Sequence, residues 1–110
     1  MIHRGEIRWF KFAKPDKRRP VLILCREELI NGLDQIAVVP FSTHIRNLAS
    51  EVLLGPVDGM PSECTLKPEW IRAVSRGEIG PLIVQLPATR WPDVERAIRY
   101  VHGFDIPEHR

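Results

Sequence analysis

At 110 residues, with 44% hydrophobic and 27% charged side chains, the chain has the make-up of one soluble globular domain, residues 1–110, able to bury roughly two-thirds of its unfolded surface. No apolar run approaches the roughly 20 residues of a membrane span, and Met1 to Glu6 hold no apolar signal core, so a cytoplasmic protein that avoids membranes is expected. Cys25 and Cys64 have no second Cys or His at zinc-ligand spacing, and His3, His44, His102 and His109 are scattered, so no disulfide framework, metal site or cofactor is expected.

The net charge of +2 is unevenly spread. Residues 1–46 hold nine basic and five acidic side chains; residues 47–110 hold seven and nine. Lys11, Lys14, Lys17, Arg18 and Arg19 face only Asp16, a local field that favours a polyanion.

In chain order, Gly5 to Phe12 alternates imperfectly, places Ile7 and Trp9 on one face and carries aromatics, which predicts a strand. Ala13 to Arg18 is a basic loop with a turn at Pro15-Asp16. Arg19 to Cys25 is the second strand. Its Val21-Leu22-Ile23-Leu24 run has no polar alternation, so both faces are expected to be buried. Pro20 fixes φ and lacks an N–H, so it marks the strand's start. Arg19 is thereby aimed from the junction of loop and strand into a solvent-facing groove, with a planar fork of donors suited to phosphate oxygens.

Arg26 to Ile30 predicts a short helical turn closed by Asn31-Gly32, and Gln35 to Phe41 a third strand broken near its end by Pro40. Ser42 to Asn47 is a polar loop. Ser50 to Leu54 is a short strand, Gly55 to Pro61 a turn-rich connection, and Ser62 to Val74 an extended stretch broken at Pro68. After the turn at Ser75 to Glu78, Ile79 to Leu86 is the last strand. Pro92 to His102 is the one strong helix: Trp91 leads in, Val94, Ala97, Ile98 and Val101 share a face, Pro92 suits the first turn, and Gly103 suits the position after the cap. Six or seven short strands and a terminal helix predict a mainly β (α+β) fold, a small, strongly bent barrel-like sheet with the helix packed on it.

Three pieces can carry chemistry together: Arg19, the Ser42-Thr43 hydroxyls after the third strand, and Lys67-Pro68-Glu69. Read singly they are ordinary. Ser-Thr pairs form turns, Lys-x-Glu pairs form weak surface ion pairs, and no two-histidine acid–base pair is evident. Trp9, Trp70 and Trp91 could offer stacking faces, but buried packing is expected for each.

The order of these pieces resembles the MazF/PemK toxins. Arg4 to Trp9 is similar to their "RGEIxW", Arg18 to Ile23 to "RRPVLV", Val38 to Thr43 to "VAPITS", Glu69 to Val74 to "DQIRTV", Ile79 to Leu82 to "IGRL", and Val94 to Arg99 to "VERALR". The matches are collinear from residue 4 to about 104.

The resemblance implies the toxin of a type II toxin–antitoxin pair, with an SH3-like barrel fold and a homodimeric state. It implies an endoribonuclease that cuts single-stranded RNA at short sequences without a metal or cofactor, leaving 2′,3′-cyclic phosphate and 5′-OH ends. The expected partner is an antitoxin with an acidic tail. By position, Arg19 takes the catalytic phosphate-binding role, and Ser42 or Thr43 supplies the hydroxyl on the scissile phosphate. Lys67 and Glu69 fall where PemK-like members carry a basic and an acidic residue. RNA contacts are expected from Lys14, Lys17, Arg18, His44, Arg46, Lys67 and Glu69, and His44 could also help as a base. The first loop is shorter than the family's "DPxxGSEQ" loop, and it carries positive charge in place of the missing length. Two other readings compete. One is a CcdB-like poison that binds gyrase; the other is a member that binds RNA or antitoxin without cutting. Arg19 followed by the hydroxyl pair favours the nuclease.

Overall fold

The structure, a computed structural model, describes residues 1–13 and 17–107. Strands β1 (Glu6–Lys11), β2 (Arg18–Ile23), β3 (Gln35–Ser42), β4 (Val52–Leu54), β5 (Cys64–Leu66), β6 (Arg72–Ser75) and β7 (Leu82–Gln85) precede one helix, α1 (Trp91–Val101). Short 3₁₀ turns link them, including Glu27–Gly32, where a helical turn is expected, and Pro68–Trp70, where the extended stretch is expected to break.

All pairings are antiparallel, in the order β4-β5-β3-β2-β1-β7, with β6 also on β3. One edge of β3 takes β2. The other takes β6 along Gln35 to Val38 and β5 at Phe41 and Ser42. The change of partner falls at Pro40, which has no N–H to give a ladder; its carbonyl instead accepts the Lys67 N–H at 2.9 Å. The Pro68–Trp70 turn fills the interval between β5 and β6, with Pro68 buried and its carbonyl 2.9 Å from His102 Nε2. The β1–β7 register slips between Ile7 and Arg8, a bulge of the kind that adds twist. The sheet curls into a half-closed barrel.

The unbroken apolar run of β2 is buried on both faces because two cores flank the sheet. Ile7, Leu22, Val39 and Phe41 join Leu54, Leu66, Leu86, Val94 and Ala97, so one face packs against α1. Val21, Ile23, Ile36 and Val38, the alternate residues of the same strands, join Phe10, Phe12, Ile30 and Val74.

Helix α1 ends as its sequence dictates. His102 is the cap and Gly103 follows at φ 77°. The Phe104 N–H reaches the Arg99 carbonyl at 2.8 Å and the Gly103 N–H reaches that of Tyr100, a Schellman motif. Gly59 closes the Pro56–Asp58 turn at φ 93°, and a Cβ there would stand 2.7 Å from Val84 Cγ2, so only glycine lets this loop lie against β7.

Candidate functional site

Strand alternation separates the doubled arginine. Arg18 lies diagonal to Trp9 across the β1–β2 pair, and its guanidinium carbon stands 4.2 Å from the centre of that indole ring. Arg19 points to the other face. Its Nη1 donates to the Phe41 carbonyl at 3.3 Å, one residue before the hydroxyl pair. Its guanidinium carbon lies 5.8 Å from the Phe12 ring centre and 5.2 Å from that of Trp70. Arg72 approaches Phe12 at 5.2 Å, and the Lys67 ammonium approaches Trp70 at 5.2 Å. Cations and rings thus alternate in the order Arg72, Phe12, Arg19, Trp70, Lys67.

Arg19 borders two clefts. The first, about 440 Å³, is lined by Trp9, Lys17, Arg18, Ser42, Thr43 and Cys64 among others. The second, about 630 Å³, is lined by Phe12, Arg19, Pro40, Trp70 and Arg72. The pairing of Ser42 with Thr65 fixes the end of β3, and the Ser42 Oγ accepts the His44 N–H at 3.1 Å, a local turn that holds the hydroxyl at the cleft. Thr43 and His44 are exposed beside it.

The loop after β3 is tied down by Glu51, a buried carboxylate that accepts the N–H of Arg46 at 3.1 Å and of Leu48 at 3.0 Å. Burial alone would raise its pKa. The backbone N–H groups of Leu48, Arg46 and Asn47, with the positive charge of Lys67, outweigh it and hold the pKa below the ordinary value. Burial, and then the charge of Asp58, push the Cys64 thiol up to about 11, so the one sulfur lining the first cleft stays protonated.

The expected residues are sorted by this geometry. Arg19, Ser42 and Thr43 meet at one cleft, with Lys17 and Arg18 on its wall and His44 beside the hydroxyls. The Arg46 side chain is exposed on the loop that Glu51 holds. Lys14 lies outside the described residues. Lys67 is a correction. It is 2% exposed, and its ammonium is 3.0 Å from the Glu69 carboxylate. It supports Trp70 and Glu69 from beneath instead of reaching for a strand, because β5 turns its side chain inward just before the 3₁₀ turn. Glu69 is exposed.

Trp70 is the second correction. It is 41% exposed, because the 3₁₀ turn carries it out of the sheet at the point where β3 changes partners. Phe12, Arg72 and Glu51 were not expected at the site. The alternation of β1 could have marked Phe12 as the last ring before the loop; Arg72 and Glu51 depend on pairings no local pattern shows. Among the described residues, no group of three or more His, Cys, Asp or Glu is placed to hold a metal ion. What the site presents is a held guanidinium, neighbouring hydroxyls and flanking basic and aromatic groups, which is chemistry suited to a phosphodiester.

Comparison with known proteins agrees with the geometry. The family described as "PemK-like, MazF-like toxin of type II toxin-antitoxin system" matches residues 3–102. The chain is 33% identical over 94 residues to "Endoribonuclease MazF3" of Mycobacterium tuberculosis, covering 86% of this chain and 89% of that protein. The solved structure "Mycobacterium tuberculosis toxin MazF-mt6" superposes with a TM-score of 0.81 at 30% identity, covering 89% of this chain and 96% of the other. A mycobacterial "Endoribonuclease in complex with its cognate antitoxin" shares the fold, with a TM-score of 0.80 at 16% identity over 94% and 96% of the two chains.

Proposed function

The chain belongs to the PemK/MazF family of type II toxins, and from that premise we propose that it is the endoribonuclease half of a toxin–antitoxin pair, cutting single-stranded RNA without a metal. The observation that carries this is the meeting of Arg19 with the Ser42-Thr43 hydroxyls at one cleft walled by Lys17, Arg18 and Trp9. The gyrase-binding and non-cleaving readings are not favoured, since the relatives of known name are endoribonucleases.

In this reading a phosphodiester enters the cleft with its non-bridging oxygens toward Arg19. The ribose 2′-oxygen gives up its proton and attacks phosphorus, the bond to the 5′-oxygen breaks, and that oxygen takes a proton from water, leaving a 2′,3′-cyclic phosphate and a 5′-OH. Negative charge grows on the non-bridging oxygens as the 2′-oxygen adds. A guanidinium already held by the Phe41 carbonyl and two rings meets that charge without reorganising. Ser42 or Thr43 donates a hydroxyl to the same phosphate. His44, next to them, carries an imidazole placed to take the 2′ proton. An acidic antitoxin tail would compete for the same basic wall.

Incubating the purified chain with a long unstructured RNA in EDTA tests this. Cuts at defined sites, with 5′-OH ends that polynucleotide kinase labels directly, are expected. Cleavage that vanishes in EDTA and returns with magnesium would overturn the metal-free mechanism, and no cleavage under either condition would overturn the nuclease.

A further inference from the structure

We propose that the second cleft, on the far side of Arg19 from the hydroxyl pair, is a nucleotide subsite: Trp70 takes a base, and Arg72 takes the neighbouring phosphate. The inference rests on the ribonuclease reading and deepens it, since it concerns the stretch of strand beyond the cut.

Three observations lead here. The cleft is about 630 Å³, a size that admits a nucleotide, and its wall is two rings and two guanidiniums with Pro40 between. Both guanidiniums lie against one ring: the carbons of Arg19 and Arg72 are 5.8 and 5.2 Å from the centre of Phe12. The β3–β6 pairing fixes Arg72 opposite Val38, so its charge is placed by the sheet and not by a loop. Two like charges held at one cleft favour a polyanion entering it, and Arg19 is shared with the first cleft, so one strand can run through both.

The aromatic side is equally specific. Trp70 is lifted by its 3₁₀ turn and 41% exposed, although Lys67 and Glu69 around it are paired to each other. A half-exposed indole backed by a buried ammonium and next to a groove of positive charge is the arrangement on which bases of single strands stack. In the motif that this chain otherwise follows, this position is a glutamine. The tryptophan therefore trades a hydrogen-bonding amide for a stacking face. The subsite should accept a base by its face, with preference set by stacking strength, rather than by a hydrogen-bonded edge.

The test uses the wild-type chain and its mapped cleavage site. A short RNA spanning that site, with a 2′-deoxy residue at the cut so that it binds without reacting, is titrated against wild type, Trp70→Ala, Trp70→Phe and Arg72→Ala. An abasic residue is placed at each flanking position in turn. Trp70→Ala should weaken binding by at least ~5-fold, and one abasic position should cost wild type that factor while costing Trp70→Ala nothing. Trp70→Phe should recover most of the loss. Arg72→Ala should lower the slope of log affinity against log salt by ~0.7, one phosphate contact on a single strand. Arg26→Ala, an exposed arginine away from both clefts, should leave affinity and slope as in wild type. If Trp70→Ala fails to fold, the phenylalanine and Arg72 variants and the abasic scan on wild type still decide. Equal sensitivity to abasic residues at every flanking position, with an unchanged salt slope in Arg72→Ala, would overturn the subsite. If wild type cuts no RNA, the ribonuclease reading has failed; binding to a random-sequence single-stranded RNA, read in the same variants, then decides the subsite by itself.

Discussion

Arg19 is where stability and chemistry meet on one side chain. The sequence alone suggests an arginine facing a solvent groove, with little effect on folding. The structure instead sets its guanidinium within cation–π reach of Phe12 and Trp70 and gives it the Phe41 carbonyl. Arg19→Ala should therefore lower single-turnover cleavage by at least ~10²-fold, as expected for a donor aimed at developing charge. It should also cost about 1–2 kcal/mol in urea denaturation, from one hydrogen bond and the ring contacts. Arg19→Lys should recover stability better than rate, because a point charge keeps the ring contacts but loses the fork. Rates that fall only in proportion to weaker RNA binding, and equally in Arg18→Ala, would remove Arg19 from the chemistry. Cys64 offers a second check at this scale. With its pKa pushed up to about 11, the thiol should resist iodoacetamide in the native chain at pH 8 and react at once in urea. Rapid native alkylation would show that the cleft wall opens.

The loop of residues 43–51 depends on a single carboxylate. Glu51 has a depressed pKa in the folded chain, so the stability it contributes is fully present above the unfolded value of 4.5 and is lost as pH falls through the lower folded value. Glu51→Gln should lower the melting temperature at pH 7, and the two proteins should converge as the solution is acidified below 4.5. A difference that persists unchanged into acid would mean the carboxylate's charge is not what holds the loop. Because the same loop carries Thr43, His44 and Arg46, Glu51→Gln should also slow cleavage without touching RNA. This element shows what the sequence could and could not disclose. The strands, the break at Pro68, the helix and its Gly103 terminus were legible because each rests on local chemistry: apolar runs, missing N–H groups, a left-handed residue after the cap. Arg19 and the hydroxyl pair were legible through order and motif. Glu51, Arg72 and the exposure of Trp70 were not. They follow from which strand β3 chooses at each end, a long-range pairing with no signature in a window of ten residues.

At the scale of the molecule, three of the basic residues gathered in residues 1–46, Lys17, Arg18 and Arg19, line the first cleft around the start of β2. Association with an acidic antitoxin tail should therefore weaken steeply with salt, while melting of the isolated chain should shift little. Salt-independent association, measured by calorimetry across a salt series, would argue that apolar contacts dominate instead. No helix among the described residues is long and apolar enough to cross a membrane. The helix that is present is spent on the core through Val94 and Ala97.

The divided edge of β3 has a further consequence, for how the molecule breathes. β3 is tied to β2 on one side and to both β5 and β6 on the other, so its centre is an interior strand with partners along both edges. The sheet ends in β4 and β7, three and four residues long, each with a single partner. In hydrogen–deuterium exchange, Val38 and Val39 should be among the last amides to exchange, on the timescale of global unfolding, while β4 and β7 exchange through local fraying. Arg19 leans on the slow centre through the Phe41 carbonyl, whereas Trp70 rides on the short turn between the slow strand's two partners. The group proposed to meet the scissile phosphate is therefore anchored to the most persistent part of the protein. The ring proposed to take the next base stands on a turn that is tied to β3 through the Pro40 carbonyl and to α1 through His102.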